Sequence, residues 1–374
     1  MTRYLILGGG IAALSAAKAI RENDPSGLIV MISSEEALPY ARPMLTKQLL
    51  GTVSAADLAV ESAAWYDAPG RDIQVLTGRT VSAIDTEKKT VTLADGLVFS
   101  YDKLVYALGA RCFIPPFKGS DRRNVVAVRT MADVQRVREL AKSAGTAAVI
   151  GGGVLGLEAA WSLRQGGLDV TVLEFEPQIM SRQIDDEAAA LLVSAMEQHG
   201  VKLITRASTA SVDDEGLHLT DGRIIPADIV IVSAGIRANA EIAAAAGIHV
   251  DRKIAVSARM ETSAPDVYAA GDCAAYGLSY ALWAEASEMG RVAGINAAGG
   301  EAEYKPVPRP LIFHGFDTEL FAIGDAGRDP SREYEVGAMP GARYYSVGGK
   351  IVGVILTGNT DRAADAEALV LENA

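Results

Sequence analysis

The chain is 374 residues long, more than one ordinary hydrophobic core accommodates, so two or three domains are expected. Its 49% hydrophobic and 22% charged content is that of a globular protein, and no run approaches the ~20 apolar residues of a membrane span. A formal net charge of −12, with no Lys/Arg run longer than two, argues against a nucleic-acid partner and against binding at an anionic membrane surface.

The first apolar run begins at Tyr4, which leaves no room for a signal peptide and makes the cytoplasm the expected location. It leads into Gly8-x-Gly10-x-x-Ala13, the pattern of a strand, a glycine turn and a helix. Such a turn needs a positive φ and a backbone that comes close to a pyrophosphate, while the helix N-terminus offers free N–H groups to the anion. A second apolar strand, residues 28–32, runs into Glu35 and Glu36, about 20 residues beyond the glycines, where a carboxylate can accept from ribose hydroxyls. There follow a segment rich in Pro and charge up to Lys47, a helical stretch over 55–66, and strands over 73–76, 90–93 and 103–107.

Pro115 and Pro116 mark a connection, after which a helix is predicted over 132–143 and a strand over 147–150. The glycine pattern then recurs as Gly151-x-Gly153-x-x-Gly156, opening a helix over 154–165 that stops at Gly166-Gly167. The next strand, 170–173, ends at Glu174, again placed for a ribose, and a helix is predicted over 185–199. Residues 101–110 read like residues 227–236, so the chain is internally duplicated and two bound dinucleotides are expected.

A late strand, 267–270, leads into Gly271-Asp272 and an alanine-rich helix over 281–298; if it rejoins the first sheet, the first domain is discontinuous. From Glu301 short β runs separated by Gly, Asp and Pro indicate an antiparallel sheet closed by a C-terminal helix. The expected fold is therefore α/β, with two Rossmann-like dinucleotide-binding domains and a small C-terminal α+β domain with an antiparallel sheet. The expected boundaries are 1–112 with 239–300 for the first domain, 113–238 for the second and 301–374 for the third. Cys112 and Cys273 are far apart without a Cys-x-x-Cys or His-rich partner, and His199, His218, His249 and His314 are isolated, so no metal site is expected.

Two dinucleotide turns on one chain suggest a flavin and a nicotinamide cofactor. The sequence resembles the FAD-dependent NAD(P)H reductases of the ferredoxin and rubredoxin reductase type, within the pyridine nucleotide-disulfide oxidoreductase superfamily, over essentially its whole length. The likeness is carried by 8–13, Pro39-Tyr-Ala-Arg-Pro-Met-Leu-Thr-Lys47, 151–158, Arg182-Gln-Ile-Asp185, Gly235-Ile-Arg-Ala-Asn239 and Tyr268-Ala-Ala-Gly-Asp272. The resemblance implies that Gly8, Gly10, Ala13, Glu35, Arg42, Lys47, Val81, Gly109, Arg111, Gly271, Asp272 and Trp283 serve FAD. It places NAD on Gly151, Gly153, Val154, Leu155, Gly156, Glu174 and Gly235. It makes Lys47 and Glu158 the catalytic pair and directs the N-terminal end of the alanine-rich helix at the flavin. Leu108 departs from the Thr common in the family's Ala-Thr-Gly turn, which puts one local contact in doubt.

Disulfide reductases of the superfamily carry redox cysteines in the stretch that is 39–50 here, and this chain has none there, so thiol chemistry is not expected. The expected activity is NADH-dependent reduction of a small one-electron carrier protein, rubredoxin ahead of ferredoxin. Glu174 and Glu176 stand where a 2′-phosphate would need a cation, so NADH is expected over NADPH. The alternatives are the flavin/NADH module of a nitrite reductase, and an FAD/NADH-binding redox sensor without a dedicated acceptor. Oligomeric state is left open.

Overall fold

The computed structural model describes residues 1–277 and 280–373, so the last residue of the expected C-terminal segment lies outside the described residues. The chain divides into two compact units, each drawn from separated parts of the sequence.

The first unit takes Met1–Pro43, Val53–Arg111 and Ile236–Pro306. Its parallel sheet has the order Val267–Ala269, Lys103–Tyr106, Arg3–Leu7, Leu28–Ile32, Ile73–Leu76. Beyond their first residues the central strands Arg3–Leu7, Leu28–Ile32 and Lys103–Tyr106 are buried on both faces, as a sheet covered on both sides requires, whereas Gln74 of the edge strand is exposed. The late strand does return, pairing in parallel with Lys103–Tyr106 through Tyr268↔Val105. Thr90–Leu93, by contrast, belongs to a three-stranded antiparallel sheet with Val81–Asp85 and Val98–Ser100. The connections flanking it are too short for a crossover helix, which forces antiparallel pairing.

The helix expected over 55–66 is reduced to Ala63–Tyr66. Upstream, the Asp57 carboxylate accepts from the Ser54 amide and hydroxyl, both at 2.7 Å, and closes a local turn. Ala59 then bridges Tyr40, with Ala41 N–H donating to Leu58 O and Val60 N–H to Pro39 O. Side-chain and bridge hydrogen bonds thus replace the i to i−4 ladder.

Helix Ile11–Asn23 packs on helix Trp283–Ala297 through small residues. A Cβ on Gly290 would lie 2.2 Å from Ala12 O, and one on Gly294 2.4 Å from Ala16 O. The backbones meet because neither position carries a side chain.

The second unit takes Met44–Thr52, Cys112–Gly235 and Val307–Ala374. Its parallel sheet has the order Lys202–Ile204, Asp169–Leu173, Thr146–Ile150, Ile229–Val232, Val125–Val126. The helices predicted from their caps are present as Met131–Ala141, Val154–Gln165 and Asp186–Gln198, with Thr130 and Asp185 as N-caps of the first and third. A small antiparallel sheet of Thr209–Val212, Leu217–Leu219 and Ile224–Ile225 parallels the one in the first unit. The C-terminal strands form one antiparallel sheet, Leu311–Gly315, Thr318–Gly324, Lys350–Thr357, Ala342–Val347, Glu335–Met339. Helix Ala363–Leu371 closes its core, with Ala366 and Val370 against Phe321, Ile323 and Leu356. Among the described residues no helix is long and apolar enough to cross a membrane.

The packing of the two helices in the first unit yields a stability prediction. Gly290→Val drives a side chain into the Ala12 backbone and is expected to cost about 2 kcal/mol. Thermal denaturation should show a clearly lowered Tm, and an unchanged Tm would contradict the close packing.

Candidate functional site

The duplicated segment explains the two glycine turns. In each sheet the strand from the duplicated segment lies beside the glycine-turn strand: Lys103–Tyr106 beside Arg3–Leu7, and Ile229–Val232 beside Thr146–Ile150. The carbonyl after each such strand faces the first glycine. A Cβ on Gly8 (φ +129°) would sit 2.1 Å from Ala107 O, and one on Gly151 (φ +113°) 2.4 Å from Ser233 O. No L side chain fits either the space or the dihedral angle.

Gly10 and Gly153 are the N-caps of the two helices that follow, with extended backbone, no side-chain cap, and no atom within 4 Å of a built Cβ. Each turn therefore offers an uncapped helix N-terminus behind an open glycine, which fits the pyrophosphate of a bound dinucleotide. Ala13 is buried in the first helix, whereas a methyl on Gly156 would lie 2.0 Å from Gly151 O.

In the first unit, Glu35 lies beyond the second strand with both carboxylate oxygens engaged. Oε1 pairs with the Arg42 guanidinium at 2.6 Å, and Oε2 accepts from the Tyr40 hydroxyl at 2.6 Å. Burial alone would lower the Arg42 pKa, but the charges of Glu35, Tyr40 and Asp272 outweigh it and hold it above the ordinary value. Glu36 is exposed. Asp272 lies in the short helical turn Gly271–Cys273, and Gly271 sets that turn against the first glycine helix, its built Cβ 3.0 Å from the Ala12 methyl. Val81 is buried at the start of its antiparallel strand.

Asn239, quoted in the sequence only as part of a motif, holds the Leu108–Gly109 turn. Its amide N–H donates to Gly109 O and its Nδ2 to Leu108 O, both at 2.9 Å. The clamp grips main-chain atoms, so the turn forms despite the unusual Leu108. Arg111 is exposed and pairs with Glu241 at 2.6 Å and Asn239 Oδ1 at 3.1 Å. Trp283 opens the alanine-rich helix, whose N-terminal end already carries its own counter-charge: the buried Glu285 carboxylate accepts from the amides of Tyr280 (3.0 Å) and Leu282 (3.4 Å).

In the second unit Glu174 is locked to the glycine turn, accepting from Gly152 N–H at 2.6 Å and Glu176 N–H at 2.8 Å. Val154 and Leu155 form the first turn of the helix, and Gly235 follows the Ile229–Val232 strand with its carbonyl accepting from Phe113 N–H at 2.9 Å.

Lys47 and Glu158, 111 positions apart in sequence, are brought together, Nζ to Oε1 at 3.6 Å. Glu158 sits in the second turn of its helix on the buried face, 4% exposed, and Thr46 donates from Oγ1 to Oε2 at 2.5 Å. The short helix Met44–Lys47 is anchored to the same unit: Leu50 N–H donates to Ser162 Oγ (3.2 Å), and Arg138 donates to the carbonyls of Gln48 (3.0 Å) and Leu49 (3.1 Å). Burial pushes the Glu158 carboxyl above its ordinary value, against the opposing pull of the Thr46 hydroxyl, Lys47 and His314. Thr46 carried no sequence assignment; its only signal was its place beside Lys47 in the matched segment.

The thiols lie elsewhere. Cys273 is fully buried, with its pKa pushed up to about 12 by burial, and Cys112 donates to Val128 O at 3.6 Å. A thiol held that far above neutrality is a poor nucleophile.

The raised Glu158 pKa has a stability consequence. A carboxyl whose folded pKa exceeds its unfolded value favours the fold when protonated, and that contribution is lost as pH rises through the folded pKa. Glu158→Gln should therefore melt higher than the parent at pH 8, with the difference fading as pH falls through the raised Glu158 value and gone once pH is below the ordinary carboxyl value of 4.5. Melting curves across pH check this, and a difference independent of pH would refute it.

Comparison with known proteins places this geometry. The family model for pyridine nucleotide-disulphide oxidoreductases matches residues 2–290. The chain is 34% identical over 371 residues to an assimilatory nitrate reductase electron transfer subunit of Bacillus subtilis, covering 96% of this chain and 48% of that protein. It is 34% identical over 335 residues to the ferredoxin–NAD(+) reductase component of an anthranilate 1,2-dioxygenase system of Burkholderia cepacia, covering 86% and 81%. The structure of NADH:rubredoxin oxidoreductase from Clostridium acetobutylicum superposes with a TM-score of 0.84 at 28% identity, covering 99% and 94%. The chain spans about half the length of the Bacillus subtilis relatives it matches, 48% of one and 46% of another.

Proposed function

This chain belongs to the pyridine nucleotide-disulphide oxidoreductase family, and from that premise we propose that it is an NADH-dependent flavoprotein reductase passing electrons to a small one-electron carrier protein. Its cofactors are FAD and NAD(H). The observation that carries the reading is the pair of uncapped glycine turns, each closed by the same strand of a duplicated unit, combined with a buried Glu158 beside Lys47.

FAD, when bound, accepts a hydride and releases its electrons singly. The chain's own residues bind and position. The Gly8 and Gly10 turn would hold the FAD pyrophosphate, with Arg42 and Asp272 as polar partners of the flavin nucleotide. The turn of Gly151, Gly153 and Gly156 would hold the nicotinamide dinucleotide, with the Glu174 carboxylate directed to its ribose hydroxyls. Lys47 supplies a fixed positive charge, and Glu158 can hold a proton at Oε1 beside it. With no cysteine in 39–50 and Cys273 buried, neither that stretch nor Cys273 supplies a thiol intermediate.

Rubredoxin is the preferred acceptor and ferredoxin the second. That order rests on the likeness of the Arg182-Gln-Ile-Asp185 segment and the short C-terminal sheet to rubredoxin-reductase flavin modules; within this chain Asp185 caps its helix through Ala188 N–H and pairs with Arg343 and Tyr345 of that sheet. A specific observation favours a second reading. The 96% coverage of this chain against 48% of the nitrate reductase electron transfer subunit suits a flavin module that feeds a larger reductase. Two cysteines that form no disulfide with each other suit a cytoplasmic location.

Anaerobic stopped-flow on the FAD-loaded protein tests the reading. NADH should bleach the flavin, and oxidised rubredoxin should restore it faster than ferredoxin or a nitrite reductase partner does. Lys47→Met should slow the bleaching roughly 10²-fold, and equal bleaching in parent and variant would remove Lys47 from the reaction. With carboxylates at Glu174 and Glu176, NADH should exceed NADPH in kcat/KM by about 10-fold or more; parity would overturn the NADH assignment.

A further inference from the structure

Two adjacent residues on one short helical turn grip opposite oxygens of a single buried carboxylate. Thr46 Oγ1 donates to Glu158 Oε2 at 2.5 Å, while Lys47 Nζ lies 3.6 Å from Oε1. We propose that Thr46 is the positioning residue of this pair: its hydroxyl fixes Oε2 so that Oε1 is turned toward Lys47. The inference rests on the reading of Lys47 and Glu158 as the reacting pair.

A glutamate carboxylate rotates freely about its last bond, because that torsion is broad and roughly two-fold. One short hydrogen bond to one oxygen removes that freedom. Thr46 and Glu158 are 6% and 4% exposed, so water does not compete for Oε2, and a hydrogen bond in such surroundings is strong. The donor is itself well held, since threonine is restricted at χ1 and the turn that carries it is tied down on two sides. Ser162 takes the Leu50 amide, and Arg138 takes the carbonyls of Gln48 and Leu49. Lys47 alone could not do this, because its Nζ is too far from Oε1 for a tight hydrogen bond and sits on a flexible stem.

The groups that set the charge state of Glu158 are Thr46 and Lys47 from the short helix and His314 from the strand Leu311–Gly315. Thr46 favours the ionised carboxylate and opposes its burial. Removing the hydroxyl should therefore change the titration of Glu158, whereas a threonine that merely fills space should not.

The test uses the FAD-loaded protein with Thr46→Val and Thr46→Ser. In each background the Tm difference between the protein with Glu158 and its Glu158→Gln counterpart is followed with pH, and the midpoint of that curve reports the ionisation of Glu158. Thr46→Val should move the midpoint up by about one pH unit; Thr46→Ser should leave it near the parent value. Reduction of bound flavin by NADH should fall about 10-fold in Thr46→Val, with KM for NADH unchanged, and recover in Thr46→Ser. An unmoved midpoint overturns the inference, even if Thr46→Val melts lower, because equal loss with and without Glu158 is what a structural role gives. Two further outcomes separate the inference from the reading beneath it. A moved midpoint with normal flavin reduction in Lys47→Met shows that Thr46 positions Glu158 and that the pair is not the reacting one. Slow reduction in Lys47→Met with an unmoved midpoint keeps the pair and removes Thr46.

Discussion

The steric exclusion of a single Cβ at the end of two parallel strands is the constraint on which both glycine turns depend. At Gly8 and Gly151 the neighbouring strand brings a carbonyl, Ala107 O or Ser233 O, into the space a side chain would need. That approach bends the chain sharply from strand to helix and leaves the helix N-terminus open to an anion. The two closing carbonyls occupy matching positions in the duplicated segments 101–110 and 227–236. The repeat is therefore a repeat of the turn's steric wall as much as of a strand. The copies are not identical, because Ala13 stands where the second turn has Gly156, and at Gly156 a methyl would overlap the Gly151 carbonyl.

A different constraint governs Lys47 and Glu158. Burying a carboxylate is unfavourable unless its oxygens find partners. Here one oxygen accepts from Thr46 and the other lies near Lys47, and burial still holds the carboxyl above its usual range. A perturbed acid beside a cation is a common mark of a working site, although ion pairs kept for structure perturb pKa values too. Cys273, by contrast, is sealed in the core, and burial pushes its thiol pKa up, away from nucleophilic reactivity.

The first unit keeps its charges paired in a different way. Glu35 is engaged by Arg42 and Tyr40, so the carboxylate placed by spacing near a ribose is held within a side-chain network. Glu174 has the simpler arrangement, with two backbone amides on its carboxylate, Gly152 N–H from the glycine turn and Glu176 N–H from the segment that follows the strand. The similar placement of the two carboxylates after their second strands conceals this difference, because the partners of Glu35 come from the Pro39–Lys47 excursion, whereas those of Glu174 are Gly152 of the turn and Glu176 just beyond the strand.

The α/β class, the two glycine turns, the helices after them and the antiparallel C-terminal sheet were legible in the sequence, since each rests on local periodicity, turn chemistry and caps. The helix expected over 55–66 was not, because Asp57 and Ser54 close a turn and Ala59 bridges Tyr40, interactions invisible to local propensity. The strands Val81–Asp85 and Val98–Ser100 were missed for a related reason: their alternation is weak and their order comes from pairing with Thr90–Leu93. Spacing marked Glu174 as a candidate, whereas Lys47 and Glu158 were candidates only through the family resemblance of their segments. Only the tertiary structure decided that Lys47 meets Glu158, that Thr46 holds its other oxygen and that Asn239 clamps the Leu108–Gly109 turn. Those are interactions between segments far apart in the chain, made by packing whose outcome no local pattern encodes.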